Sequence, residues 1–279
     1  VPELPEVETI RRDLEKDVVG RKIKEVEVLG QRSVRRHESP EAFRARLEGK
    51  KIERVQRRGK YLVMELDGDD LLVVHLRMSG QLLRAKSPKE PLAKHTHVVI
   101  TFSQGGQLRF VDPRTFGELF VVSAAALADE APELVELGFD PVEEIMSWQR
   151  FGALLRARHQ PLKAALTDQR FVAGIGNIYA DEILFAAGLR YDRSSDSLSP
   201  QEVRRLYRSM VETLQDAIRH RGSSLADEQY RDLFGETGSY QGEHRVYDRE
   251  GLACLRCRAK IVRVKFAGRS TFLCEQCQV

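Results

Sequence analysis

No apolar run in the chain is long enough to span a bilayer, and Arg11 and Arg12 interrupt the N-terminus before a secretory-type apolar stretch can develop. An embedded or exported protein is therefore not expected, and a cytoplasmic one is. Cysteine is absent before position 254. That placement excludes a disulfide framework through the body of the protein and, in a reducing compartment, leaves the clustered thiols to a metal. Internal repeats and low-complexity tracts are missing too. Between Arg114 and Arg150 there is no Lys or Arg, whereas Glu118, Asp129, Glu130, Glu133, Glu136, Asp140, Glu143 and Glu144 all fall there. Such a segment should face away from any polyanion.

What is present begins with 279 residues, enough for two domains and a small appendage. A net charge of +3 identifies no partner by itself. Its distribution says more: from His244 onward, eight basic residues outnumber Asp248, Glu250 and Glu275 for a local net charge of +5, a plausible phosphate-binding face. The same tail carries Cys254-x-x-Cys257 and, sixteen residues on, Cys274-x-x-Cys277. This is the spacing of a closed tetrahedral zinc site. Four thiolates leave no open coordination position, so one structural Zn2+ is expected, holding a hairpin whose tip, Phe266 to Thr271, presents Arg269.

The periodicity changes along the chain. Val7 to Val18 places Val7, Ile10, Leu14 and Val18 at helical spacing and ends near Gly20. Short strands then follow at 23–28, 52–55, 61–66, 71–76, 97–102, 107–110 and 118–122, with one short helix over 41–47, which indicates an antiparallel sandwich or barrel. The acidic stretch 123–146 reads as a linker. Helices are expected over 148–158, 161–167, 177–187 and 199–221, then a loop over 230–241 and a two-stranded unit carrying the cysteines. The fold class is thus α+β and multidomain: a β-sandwich domain at 1–122, a helical domain at 147–240 and a zinc-bearing hairpin at 241–279.

Three further patterns could carry chemistry. Pro2 followed by Glu3 and Glu6 would expose a secondary amine if Val1 were removed. An α-amino group titrates near ~8, so a useful fraction is nucleophilic at neutral pH. Its iminium with a sugar aldehyde carbon cannot be neutralised by losing a proton, and adjacent carboxyl groups would serve proton transfer. The same residues also suit an ordinary helix start. Gly174-Ile175-Gly176-Asn177 before a helix would let an anion approach the helix N-terminus, or would simply make a tight turn with Asn177 as cap. Lys60 in Arg58-Gly59-Lys60-Tyr61, Met78 in Arg77-Met78-Ser79-Gly80, and Arg114 with Phe116 in Asp112-Pro113-Arg114-Thr115-Phe116-Gly117 combine cations with apolar side chains in glycine-containing turns. Apolar wedges beside arginines are what DNA-bending proteins insert into the base stack, although burial is the commoner fate of either residue. His95 and His97 alternate along one strand without a third metal ligand.

Together these motifs resemble one family, the bacterial formamidopyrimidine-DNA glycosylases that excise oxidised purines. The resemblance rests on Pro-Glu-Leu-Pro-Glu-Val-Glu at 2–8, Arg-Arg-Gly-Lys-Tyr at 57–61, His-Leu-x-Met-Ser-Gly at 75–80 and Asp-Pro-Arg-x-Phe-Gly at 112–117. It continues through Gly-Ile-Gly-Asn-Ile-Tyr-Ala at 174–180 and the cysteine tail. It implies a bilobal protein with a helix-two-turn-helix in the helical domain and double-stranded DNA, containing an oxidised purine or an abasic site, between the lobes. It implies a bifunctional enzyme, glycosylase and AP lyase, that cleaves the strand by β,δ-elimination. Carried over by position, Pro2 is the Schiff-base nucleophile, Glu3 the general acid, Lys60 the proton donor for β-elimination and Arg269 the corresponding group for δ-elimination. Met78, Arg114 and Phe116 fill the gap left by a flipped nucleotide, while Asn177 with Lys60 and Arg269 grips phosphates and His95 makes a further DNA contact. A monomer, bacterial and nucleoid-associated while acting, is implied as well.

Two departures concern backbone shape: Arg77 and Arg258 stand where the family usually has Gly, and both are expected to be tolerated if the backbone there is not left-handed. The stretch 222–240, which in the family covers the extruded base, matches loosely. Removal of Val1 is expected; its retention would favour a non-catalytic zinc-finger protein that binds damaged DNA. The sister endonuclease VIII type, acting on oxidised pyrimidines, is the other alternative, against which Leu4 and the zinc tail count.

Overall fold

The computed structural model describes residues 2–227 and 229–279, so the fate of Val1 lies outside the described residues. The chain forms two compact units, one of residues 1–136 with 220–239 and one of residues 137–219 with 240–279. Among the described residues no helix is long and apolar enough to cross a membrane.

The first unit starts with helix α1, Leu4–Asp17. Pro5 pre-sets the first turn, and Leu4, Val7, Ile10 and Leu14 recur on one face, each at most 1 % exposed. Burying each is worth roughly 1.5–3 kcal/mol. The helix stops where Gly20 takes φ +84°, a conformation that costs glycine nothing. Strands β1 (Ile23–Val28), β2 (Ile52–Arg58), β3 (Tyr61–Leu66), β4 (Asp70–His75), β5 (Gln81–Ala85), β6 (Thr96–Phe102), β7 (Gln107–Val111) and β8 (Glu118–Ser123) follow, with α2 (Pro40–Leu47) between the first two. They make two four-stranded sheets, β1-β6-β7-β5 and β2-β3-β4-β8, antiparallel throughout. Leu62, Met64, Leu72 and Val74 of one sheet share a core with Val26, Ile100, Leu108 and Phe110 of the other and with α1. The expected sandwich is therefore present. Strand β5 was not expected, because adjacent Leu82 and Leu83 break the period-two alternation directly after a glycine turn.

The segment 220–239 returns to this unit through polar contacts: the Arg221 guanidinium bridges Asp13 and Asp232, and Tyr230 donates its hydroxyl to the Arg221 carbonyl at 3.0 Å. Tyr230 and Leu233 complete the core. Short helices α3 (Leu127–Glu130) and α4 (Pro132–Val135) lie in the acidic stretch.

In the second unit, α5 (Trp148–Arg156), α6 (Leu162–Thr167), α7 (Asn177–Ala187) and α8 (Pro200–Arg219) precede the hairpin β9 (Val262–Phe266) and β10 (Arg269–Leu273). Ser147 caps α5 by accepting from the Arg150 amide, and Ser199 does the same for the Glu202 amide at the start of α8. Phe185 of α7 packs with Val246, Ile261 and Phe272 around Cys254 and Cys274. Arg269 pairs with Phe266, so only Ala267 and Gly268 turn the hairpin, a tighter tip than the six residues the sequence suggested.

The condition placed on the two arginines fails. Arg77 has φ +53° and Arg258 φ +72°, both left-handed. A β-carbon there costs on the order of 1 kcal/mol. Arg258→Gly should accordingly raise stability by about 0.5–1 kcal/mol, read as a higher urea midpoint with an unchanged m-value.

His75, at the end of β4, packs edge-on against Tyr61 and accepts the Arg77 amide on Nδ1 at 3.0 Å. Burial, then Arg77 and Lys60, push its pKa down to about 3. The unfolded histidine takes a proton near ~6.5 and the folded one does not. Stability from the neutral ring is thus complete above that value and falls as pH drops from there toward 3. Between pH 7.5 and 5 this amounts to about 2 kcal/mol. Urea titrations should show that loss, and His75→Asn, whose amide oxygen replaces Nδ1 as acceptor, should flatten it.

Candidate functional site

In the first unit the N-terminal residues are fixed by a carboxylate. Pro2 and Glu3 are buried, and Glu6 accepts the Glu3 amide on Oε2 at 2.7 Å and the Ser223 amide on Oε1 at 2.8 Å. Gly222, at φ +80°, passes so close that a β-carbon would sit 2.6 Å from Glu6 Oε1. Only glycine meets both demands. Glu8, one turn below Glu3, is 1 % exposed and holds Arg11, Arg12 and Arg57. Burial alone would raise its pKa, but the bonds from Arg11, the Arg57 charge and Arg12 outweigh that and lower it. Lys60 sits in the two-residue turn between β2 and β3, where Arg58 pairs with Tyr61.

Met78 and Phe116 are not core residues: they are 41 % and 46 % exposed, and the loops carrying them are built to leave them so. The means is Asp112, fully buried at the end of β7. Its Oδ1 accepts from Ser79 Oγ at 2.5 Å and the Arg114 amide at 3.2 Å, and its Oδ2 from the Gly117 amide at 2.8 Å. One carboxylate therefore ties the 76–80 turn to the 112–117 turn. The carbonyls of the second turn are held from the other side. Arg32 donates to Thr115 O at 3.0 Å, and Arg35 to Phe116 O and Gly117 O at 3.0 and 2.9 Å. Arg114 Nη1 then lies 3.4 Å from Met78 Sδ. Met78, Arg114 and Phe116 are thus brought together on one exposed surface, as an apolar and cationic set. His95 is exposed at φ +66°, two residues from His97, whose Nε2 lies 2.8 Å from the Asp112 carbonyl.

The second unit supplies Asn177, Arg269 and the cysteines. Gln169 shapes the loop before α7 by accepting the Gly174 amide at 2.8 Å and donating to the Ile175 carbonyl at 2.8 Å. Gly176 is the N-cap and Asn177 the first helical residue, which corrects its reading as a cap. The Asn177 Nδ2 instead donates to Ser270 O at 3.1 Å, leaving its Oδ1 buried with no hydrogen bond among the described residues. Arg269, next to Ser270, is exposed. Buried Lys163 pairs with Asp181 at 2.7 Å and donates to Thr271 Oγ1 at 2.7 Å, while Asp181 accepts the Phe272 amide at 2.9 Å. The neighbouring Glu182 accepts the amides of Arg245, Val246 and Tyr247 at 2.8 to 2.9 Å. Burial raises the pKa of both acids.

All four cysteine sulfurs lie within 4.8 Å of one another, with 3.4 Å between Cys257 and Cys274 and 3.9 Å between Cys254 and Cys277. A tetrahedron with ligand bonds of about 2.3 Å has edges of about 3.8 Å, so the set fits one zinc ion. Its chemistry would be structural, closing the two knuckles at the base of β9 and β10.

Sequence reasoning missed Asp112, Ser79, Arg32, Arg35, Gln169, Lys163 and Asp181. The only local signal was Asp112-Pro113, an Asx-turn start; the rest owe their roles to partners distant in the chain.

Comparison with known proteins follows the same division. Residues 1–119 match the formamidopyrimidine-DNA glycosylase N-terminal domain, 137–229 the formamidopyrimidine-DNA glycosylase H2TH domain, and 251–279 a zinc finger found in FPG and IleRS. A formamidopyrimidine-DNA glycosylase of Pelotomaculum thermopropionicum is 44 % identical over 278 residues, covering 100 % of this chain and 99 % of the relative. A Lactococcus lactis FPG variant in complex with Fapy-dG containing DNA superposes with a TM-score of 0.90 at 38 % identity, covering 99 % of each chain. The Lactococcus lactis enzyme in complex with abasic-site DNA gives the same TM-score, identity and coverage. By matched domains, identity and coverage, this chain belongs to the formamidopyrimidine-DNA glycosylase family.

Proposed function

We propose that this protein is a base-excision repair enzyme, a glycosylase with AP lyase activity that acts on oxidised purines and abasic sites in cytoplasmic double-stranded DNA. The observation that carries the reading is the pairing, within one unit, of a tightly held Pro2-Glu3 helix start with an exposed Met78-Arg114-Phe116 surface. The first suits attack on a sugar, and the second suits filling a gap in a base stack.

With Pro2 as the first residue, its secondary amine attacks C1′ of the damaged nucleotide and the bond from C1′ to the base breaks, Glu3 supplying a proton on the sugar side. The C1′–O4′ bond breaks as the ring opens to an iminium, which draws electrons from the C2′–H bond. A proton then leaves C2′, its electron pair forms a C2′–C3′ double bond conjugated to the iminium, and the C3′–O bond breaks as the 3′ phosphate departs with that bond's electrons. Lys60 serves this β-elimination, and Arg269 the later loss of the 5′ phosphate. Asn177, Lys60 and Arg269 bind phosphates, and His95 adds a contact. Cys254, Cys257, Cys274 and Cys277 hold zinc, which fixes the hairpin that presents Arg269.

The closeness of the match to the glycosylases of oxidised purines favours that substrate class over oxidised pyrimidines. Excision of 8-oxoguanine opposite cytosine should exceed excision of thymine glycol. The reverse order would favour the endonuclease VIII type.

Borohydride trapping on lesion DNA, combined with intact mass, should find one adduct on a peptide that begins at Pro2. Pro2→Gly should slow cleavage by roughly a hundredfold or more while leaving DNA affinity within a fewfold. Unchanged cleavage by that variant would remove the nucleophile assignment. Arg269→Ala should lower affinity and reduce the slope of log K against log salt by about 1; an unaltered slope would count against a phosphate contact.

A further inference from the structure

The turn that carries Lys60 is controlled from α1. It has two residues, Gly59 at φ +57° and Lys60, between the paired Arg58 and Tyr61. A lysine stem has four rotatable bonds, so its ammonium reaches one point reproducibly only if its backbone is fixed. The Gly59 carbonyl, which shares a peptide plane with the Lys60 amide, accepts from Arg57 Nη1 at 3.0 Å. The same guanidinium donates from Nε to Glu8 Oε2 at 3.0 Å, and its side chain is 0 % exposed. Glu8 lies one turn along the helix that Pro2 and Glu3 start.

We propose that Arg57, anchored by Glu8, is a positioning residue for Lys60, setting where its ammonium stands relative to the N-terminal amine. The inference rests on the reading of Lys60 as the group that serves β-elimination. Neutralising Glu8 does not fall to Arg57 alone, since Arg11 and Arg12 also contact that carboxylate. Desolvating a guanidinium entirely is costly, and an apolar side chain of similar volume would pack the site as well or better. What an apolar residue cannot supply is the fork: two donors in one rigid plane, one to the helix and one to the turn carbonyl. Lysine at this position would keep the charge and lose the fork.

The test compares full-length wild type with Arg57→Lys, Lys60→Ala and the double variant, on DNA with a preformed abasic site, in single turnover. Two rates are read: borohydride-trappable adduct formation, which reports the amine, and strand nicking, which reports elimination. Arg57→Lys should slow nicking roughly tenfold or more, because a misplacement of about 1 Å can cost on the order of a hundredfold. Adduct formation should stay within about threefold of wild type. In the Lys60→Ala background, Arg57→Lys should slow nicking by less than about twofold, since a residue acting through Lys60 has nothing left to position. Parallel loss of both rates, or a full multiplicative loss in the double variant, would overturn the proposal, as would wild-type nicking by Arg57→Lys. If Lys60→Ala alone nicks normally, the reading of Lys60 itself fails and the relay with it. Should Arg57→Lys not fold, Glu8→Gln carries the same comparison: selective loss of nicking supports the relay, and equal loss of both rates overturns it.

Discussion

Carboxylates buried along α1 are the constraint on which the first unit depends. Glu6, Glu8 and Asp13 are 1 %, 1 % and 7 % exposed, and an ionised carboxylate out of water is tolerable only when its oxygens are met by donors or cations. Each acid meets that demand from a different part of the chain. Glu6 takes the amides of Glu3 and Ser223, Glu8 takes Arg11, Arg12 and Arg57, and Asp13 takes Arg221. One helix is thereby fixed to its own N-terminus, to the segment 220–239 and to the turn between β2 and β3. Removing a donor would leave a buried carboxylate less well met, which is more damaging than the loss of an average hydrogen bond. The start of α1, with Pro2 before it, is therefore placed by charge satisfaction as well as by apolar packing.

The second unit repeats the device on α7. Asp181 and Glu182 are adjacent and nearly inaccessible, and their acceptors are used on main-chain amides of Phe272 and of Arg245 to Tyr247. Asn177, at the start of the same helix, holds Ser270 O. Zinc closes the cysteine knuckles, but it is α7 that sets how the hairpin stands against the helices. Four thiolates explain why the tail folds. They do not explain where Arg269 ends up.

How much of this could be read beforehand follows from the range of each interaction. β3 at Tyr61–Leu66 and α7 at Asn177–Ala187 run as their patterns predict, because alternation and helical spacing are local. The cysteine spacing was equally legible, being chemistry written in a short window. β5 was not, since its two adjacent leucines hide the period. Nor were the anchors: Arg57 meets Glu8 across 49 positions and Ser223 meets Glu6 across 217, and no window of sequence contains both partners. The backbone at Arg77 and Arg258, on which tolerance of the two arginines was made conditional, was not legible for a related reason. A left-handed residue that is not glycine carries no mark in its own letters, and the surrounding structure must over-determine it.

The exposed residues that resemble a DNA-reading surface depend on the polar residues that hold their turns, Asp112 and Ser79 buried beneath and Arg32 and Arg35 beside them. A methionine or phenylalanine at 41 % or 46 % exposure on a freely moving loop would collapse onto the nearest apolar surface. That collapse is opposed because Asp112 holds the Arg114 and Gly117 amides and, through Ser79 Oγ, ties Met78's turn to them, while Arg32 and Arg35 hold the carbonyls of Thr115, Phe116 and Gly117. These bonds, with those from the Gly80 amide to Leu76 O and the Thr115 amide to Asp112 O, oppose refolding of the two turns. The side chains stay out, and a loop already fixed in this way needs little reordering to meet a partner. Polar scaffolding thus lies beneath the apolar side chains, and in the neighbouring turn between β2 and β3 a buried charge, Arg57, holds the Gly59 carbonyl beside Lys60.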